Sequence, residues 1–323
     1  MVDGRQWGAL PGRGRPGRPG GGAPYAVAVQ HHPVPAGPAA GREFVLTVSC
    51  PDQRGIVHAV TGVALDLAMT IVDSQQFADA SSGEFHLRMH LAREGEPVDV
   101  AEVEAAVAPL AERFAMTAAV HDLARRPRVL VLVSRQGHCL NDVLFRVQTG
   151  SLPIEVPAIV SNHEDFRELA AWHGVPFHHV PVTSATKPAA EEELRRLVRE
   201  HDADTIALAR YMQVLSPQLC ADFPGRIINI HHSLLPSFKG AKPYTQAHDR
   251  GVKVIGATAH YVTEELDAGP IIEQDVARVS HREGPEAMMR IGRDIERVVL
   301  ARAVKWHLED RVLVDGRRTV VFR

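Results

Sequence analysis

From Val129 to Val133 the chain reads Val-Leu-Val-Leu-Val, with no polar residue in the run. A strand that alternates apolar and polar residues needs cover on one face, whereas this one needs cover on both. Such a strand belongs inside a parallel sheet with helices on either side. Further strands are expected at Ile154–Ser161, Val175–Val180, Thr205–Ala209, Ile227–Ile230 and Gly256–Val262. Helical periodicity at Leu140–Gly150, Glu164–His173 and Ala189–Glu200 separates the earlier ones. The alternation predicts an α/β fold, a doubly wound and mostly parallel sheet with its ligand site at the carboxyl ends of the strands. Pro285–Leu308 reads as a long closing helix, and Val312–Phe322 as a hairpin turning at Asp315-Gly316.

Before Arg125-Arg126-Pro127 the pattern differs. Phe44–Ser49 reads as a strand, and Ile56, Val60, Val63, Ala64 and Leu67 recur at helical spacing. Ile71–Phe77 and Glu84–Ala92 alternate as strands around a Ser81-Ser82-Gly83 turn. Val98–Phe114 returns to the helical period, and Met116–His121 is a last strand. The order βαββαβ predicts a ferredoxin-like α+β sandwich, with its helices on one face of an antiparallel sheet. The division expected is a tail over 1–42, a small domain over 43–124 and a larger one over 125–323.

Residues 1–24 hold twelve Gly or Pro, with Arg5, Arg13, Arg15 and Arg18 among them. Such a segment buries too little apolar surface to offset its ordering entropy, so disorder is expected to about residue 42. No apolar run of secretory length follows the arginines. Across 323 residues the net charge is −3, which excludes a protein whose whole surface is basic and built for nucleic acid. No apolar run reaches the ~20 residues a membrane-spanning helix needs. Cys50, Cys139 and Cys220 lie far apart, the pattern of a reduced, cytoplasmic chain without a cysteine-built metal site. The histidine pairs His31-His32 and His178-His179 have no accompanying HExxH or Cys/His ligand spacing, so no metal is expected.

The chemistry-bearing stretch is Asn229-Ile230-His231-His232-Ser233-Leu234-Leu235-Pro236-Ser237-Phe238-Lys239-Gly240. A strand delivers an amide and an imidazole two residues apart, so both project from one face. Gly256-Ala257-Thr258-Ala259-His260-Tyr261-Val262 is again a strand, and Leu266-Asp267-Ala268-Gly269-Pro270 places a carboxylate on a tight turn. An amide can donate to a developing oxyanion, an imidazole can shuttle a proton, and a carboxylate can orient the imidazole or hold a water. Residue chemistry alone leaves this as an acyl-transfer site at strand ends, beside the plainer reading of a turn former, a core histidine and a loop aspartate.

These motifs resemble the folate-dependent formyltransferase family over residues 128–310. The resemblance implies catalytic roles for Asn229, His231 and Asp267, with His232 outside the catalytic set. Leu208–Pro217 resembles the family's pterin-holding loop, which implies substrate-binding positions at Met212, Val214 and Leu215; the resemblance adds His260, Val262 and Gly269 in and around the Val262–Asp267 loop. Ser134-Arg135-Gln136-Gly137-His138 departs from the glycine-rich loop with which the nucleotide-using transferases hold a substrate phosphate. Gly240–Ala247 instead resembles the deformylase branch of the family. Pro51-Asp52-Gln53-Arg54-Gly55-Ile56-Val57 resembles an ACT domain, a small-ligand sensor, which implies effector-binding positions at Asp52, Arg54, Gly55 and Ile56.

The activity implied is hydrolysis of 10-formyltetrahydrofolate to tetrahydrofolate and formate, with folate as substrate and no cofactor. The alternatives are formyl transfer to an unphosphorylated or sugar-nucleotide acceptor, and a silent folate and amino-acid sensor. Expected partners are the small-molecule folate, an amino-acid effector and further copies of the chain, with no nucleic acid and no membrane.

Overall fold

The computed structural model describes residues 42–95, 98–236 and 243–323. The tail read over 1–42 lies outside the described residues except for Arg42, which opens β1 rather than closing a tail. The chain then runs β1 (Arg42–Pro51), α1 (Ile56–Asp66), β2 (Thr70–Asp79), β3 (Glu84–Arg93), α2 (Val100–Phe114) and β4 (Thr117–Asp122). These strands form an antiparallel sheet of order β2-β3-β1-β4. Phe44, Leu46 and Val48 of β1 and Phe85, Leu87, Met89 and Leu91 of β3 pack with Ile56, Val60, Val103 and Val107 of the two helices. On the opposite face Arg88 is buried and its Nε donates to the Glu309 carbonyl at 3.0 Å, tying this sheet to the chain's last helix.

The larger sheet begins with β5 (Val129–Val133), all five residues of which are buried. After it come α3 (His138–Gln148), β6 (Ile159–Ser161), α4 (Arg167–Trp172), β7 (Phe177–His179), α5 (Lys187–Glu200) and β8 (Thr205–Leu208). Next are α6 (Pro217–Asp222), β9 (Ile227–His231), α7 (Pro243–Asp249), β10 (Val254–Tyr261), β11 (Ile271–Arg278) and α8 (Pro285–Leu308). The hairpin β12 (Val312–Asp315) and β13 (Arg318–Val321) ends the chain. Strand order is β11-β10-β9-β8-β5-β6-β7. The five strands from β9 to β7 are parallel; β10 runs antiparallel to β9, and β11, antiparallel to β10, returns to the direction of the five.

The uninterrupted apolar run of β5 is explained by its two faces. Val129, Val131 and Val133 pack with residues of α3 and α8, while Leu130 and Leu132 pack with residues of α5 and α6. β6 is shorter than its sequence suggests because Pro153 and Pro157 cannot donate to a ladder, leaving an isolated Arg128–Glu155 bridge upstream. β11, α6 and α7 were not anticipated. The hairpin turns through Gly316-Arg317, with Asp315 and Arg318 paired, one residue later than expected.

Candidate active site

Along β9, Ile228 and Ile230 are buried in the core, so Asn229 and His231 take the other face. The antiparallel register of β10 sets His260 opposite Asn229 and Thr258 opposite His231. His260 Nδ1 donates to the Tyr261 carbonyl at 2.8 Å, and burial holds the ring's pKa below its ordinary value. The neutral ring therefore offers a lone pair at Nε2, which receives Asn229 Nδ2 at 3.2 Å. One amide N–H is thus fixed on His260, leaving its twin to face the cleft.

Asp267 sits in the loop after β10 with φ +54°, a left-handed conformation that Asp adopts more readily than most residues. Gly269 lets that loop close, since a Cβ there would lie 1.9 Å from the Tyr261 carbonyl oxygen. The loop returns the Asp267 carboxylate to His231, whose Nδ1 is 3.3 Å from Asp267 Oδ1. His231 Nε2 lies 2.9 Å from Ser233 Oγ. Hydrogen bonding from His231 holds the Asp267 pKa below the ordinary carboxylate value, against the opposing effect of burial and with electrostatic help led by His231. The carboxylate is ionised at neutral pH.

These residues line a cleft of about 480 Å³. Its far wall is the segment after β8. Arg210, at φ +67°, turns the chain out of the strand. Ser134 Oγ then accepts from the Met212 N–H at 3.0 Å, and Glu191 accepts from the Ser216 N–H at 2.9 Å, so the loop is pinned at both ends. Met212, Val214 and Leu266 are more than half exposed around the cleft and give it an apolar rim.

Asn229, His231 and Asp267 are therefore brought together, and Met212, Val214, Leu215, His260 and Val262 line the same cleft. Gly269 does not line it, and its close approach to Tyr261 gives it a role in loop closure. Burial drops the His232 pKa to about 4, so its ring is neutral. Of the four effector positions, Asp52, Arg54 and Gly55 are exposed at the start of α1, whereas Ile56 is buried in the core of the first sheet.

One cluster had no advance notice. Glu296 of α8 is 1% exposed and is met by His138 Nε2 at 2.7 Å, by the Tyr244 hydroxyl at 2.7 Å and by Arg210 Nε at 3.5 Å. Burial pushes its pKa up, but His138, Arg210 and Tyr244 together outweigh that and leave it below its ordinary value. Gly292, one turn earlier, makes room for the Tyr244 ring, since a Cβ there would meet its hydroxyl at 1.9 Å. The one available signal was a glutamate on the stripe Met288, Gly292, Ile295, Val299, Ala303, where an apolar residue would be expected. His138, Cys139 and Glu296 place donor atoms within 4.8 Å of one another, as a metal site would. His138 and Glu296 already satisfy each other, and burial pushes the Cys139 thiol well up, away from the thiolate a metal would need.

Residues 127–304 match the family of formyl transferases. A formyltetrahydrofolate deformylase of Corynebacterium sp. (strain P-1) is 48% identical over 279 residues, covering 86% of this chain and 98% of that protein. The crystal structure of a formyltetrahydrofolate deformylase from Pseudomonas syringae pv. tomato has a TM-score of 0.85 at 49% identity, covering 87% of this chain and 95% of its own. A glycinamide ribonucleotide transformylase from Symbiobacterium toebii is similar over less of the chain, with a TM-score of 0.59, 31% identity and coverage of 62% here against 97% there.

Proposed function

Because the chain belongs to the formyl transferase family, and within it to the formyltetrahydrofolate deformylases, we propose that it hydrolyses 10-formyltetrahydrofolate to tetrahydrofolate and formate. The observation that carries this reading is the convergence of Asn229, His231 and Asp267 on one apolar-rimmed cleft. A water held by the ionised Asp267 attacks the formyl carbon and gives its proton to the Asp267–His231 pair. The oxygen of the tetrahedral intermediate takes up charge and is met by the free Asn229 N–H and by the positive charge that His231 gains with the proton. The C–N10 bond then breaks as N10 gains a proton, leaving formate and tetrahydrofolate. His260 acts one step removed by holding the Asn229 amide in place. The scheme calls on no group beyond the folate and water.

Water is favoured over a nucleotide acceptor by the state of the loop after β5. Gln136 Oε1 accepts from Arg210 at 3.0 Å and His138 is bonded to Glu296, so side chains engage each other where a phosphate would need free backbone amides. The decisive experiment is formate release from 10-formyltetrahydrofolate with no acceptor present, for the unaltered protein and for Asp267→Asn. Release that disappears in a folded variant supports the reading, and release that survives removes Asp267 from it.

The first sheet is read as a sensing domain over 43–124 beside a catalytic one over 125–323. Its exposed turn at Asp52–Gly55 leaves the start of α1 without a side-chain cap, and Gly55 has φ +96°. That supports an ACT-type site for a free amino acid, which calorimetric titration with an amino-acid panel would detect as saturable heat lost in Asp52→Ala. β2 is an edge strand with Ile71, Val72 and Phe77 exposed, which supports assembly of further copies along this sheet. Among the described residues no helix is long and apolar enough to cross a membrane. Cys50, Cys139 and Cys220 are free and buried, in keeping with the reducing cytoplasm expected for this chain.

A further inference from the structure

A second cavity, of about 250 Å³, adjoins the catalytic cleft across Arg210 and His232, which line both. It lies below the ~300–1,000 Å³ typical of pockets that enclose a whole ligand of drug size. Gln136 and Arg293 carry it on to a third cavity, of about 430 Å³, beside α3. Shared lining residues link the three in a series that starts at the reacting groups, and the second and third include none of the apolar rim.

The charges along this path are unbalanced. Arg210 is 6% exposed, and its Nε has no hydrogen-bond partner, Glu296 standing 3.5 Å away as an ion pair only. Arg293 Nε is likewise buried without a partner, and its Nη2 reaches only the Met289 sulfur at 3.5 Å. No described carboxylate pairs with Arg293. Against these two guanidinium groups stands Glu296 alone, already shared with His138 and Tyr244. His232 is neutral, and burial keeps the Tyr244 phenol protonated. An unpaired N–H and a surplus positive charge in a small cavity are the features that draw a small anion.

We propose that this second cavity receives the formate, which leaves past Arg210 and Arg293 while tetrahydrofolate still fills the cleft. The inference rests on the hydrolytic reading, since hydrolysis creates one small anion next to Arg210 for each turnover. The cavity admits a three-heavy-atom carboxylate and water and is too small for the folate. Formate is held there by charge-assisted hydrogen bonds from Arg293 and the free Nε of Arg210, with no covalent step.

The test is product inhibition by sodium formate, in the unaltered protein, Arg293→Met and Arg293→Lys. Arg293 touches neither the cleft nor its groups, so turnover and KM for 10-formyltetrahydrofolate at negligible formate stay within about twofold in both variants. That result also shows that they fold. Formate inhibits the unaltered protein noncompetitively against the folate. Arg293→Met raises the inhibitory formate concentration about tenfold, the loss expected for one charged hydrogen bond, and Arg293→Lys recovers most of it. Absence of formate inhibition, inhibition purely competitive with the folate, or inhibition unchanged in Arg293→Met would each overturn the proposal. These results stay distinct from failure of the hydrolytic reading, in which the unaltered protein releases no formate at all.

Discussion

His231 and His232 are neighbours in sequence, yet they face opposite kinds of polar surroundings. On the His231 side the groups keep capacity to spare: Asn229 has one N–H committed to His260, and the Asp267 carboxylate accepts from one imidazole at the edge of an open cleft. On the His232 side the capacity of the carboxylate is consumed, and what stays unmet is the Nε of Arg210 and of Arg293. Glu296 is engaged by His138, Tyr244 and Arg210, all of them largely buried. The same strand end thus supports a site and a strut. A group that reacts must be oriented but left incompletely satisfied, whereas one that only holds the fold is stabilised by completing its bonds.

The contrast breaks most severely at Asp267. Asp267→Asn keeps the side chain's shape and removes the charge that faces His231 and is proposed to hold the water, so kcat is expected to fall about 10²–10⁴-fold with folate binding retained. Single-turnover formate release and folate titration together measure this, and a kcat within tenfold of the unaltered protein would place Asp267 with the struts. Asn229→Ala removes the proposed oxyanion donor and also strands His260 Nε2. It is expected to cost about 10²–10³ in kcat, the effect of losing one such donor. Turnover unchanged in Asn229→Ala would leave the amide with a structural role only.

On the consumed side the expected loss is of stability. Glu296→Gln retains acceptors for Tyr244 and His138 but leaves Arg210 buried with no opposite charge. Removal of one partner from a buried pair costs about 3 kcal/mol. A lower urea midpoint, with kcat falling less than in either cleft variant, is the expected pattern. Should Glu296→Gln instead lose activity as Asp267→Asn does at unchanged stability, the two sides are one site and the distinction between them fails.

How far these two sides could be read in advance follows from the range of the interactions. The run Val129–Val133 specifies its own doubly covered position, and Asn229 and His231 share a face because strand period is local. Apolar patterning therefore located β5, β8, β9 and β10 and the edge of the cleft. β6 came out short because Pro153 and Pro157 outweigh the apolar run around them. The His260–Asn229 bond depends on an antiparallel register between strands about 30 residues apart, which neither strand's pattern states. Glu296 was the least legible. Its partners His138, Arg210 and Tyr244 come from three other stretches of chain, and only their packing makes a charged residue tolerable on that helix face.

The smallest effect is expected where α8 ends against the first sheet, a third place where a carboxylate is enclosed. Asp310 Oδ1 lies 3.2 Å from His121 Nδ1. Burial pushes the Asp310 pKa up to about 7 even with Arg88 opposing, and burial followed by Arg88 pushes that of His121 down. Unlike Glu296, this acid lacks enough partners to offset its enclosure. The folded protein therefore keeps a proton that the unfolded chain, with a carboxyl near 3.8, has already released. Stability from this group is complete below the unfolded value and drains away as pH rises through about 7. Asp310→Asn cannot ionise, and asparagine tolerates the φ of +53° found there. Its Tm should match that of the unaltered protein near pH 4 and exceed it by a few degrees near pH 8, equivalent to about 1 kcal/mol. A gap that closes or reverses as pH rises would mean that His121 charges and pairs with Asp310, so that this junction is held as the Glu296 cluster is, by completed charge pairing.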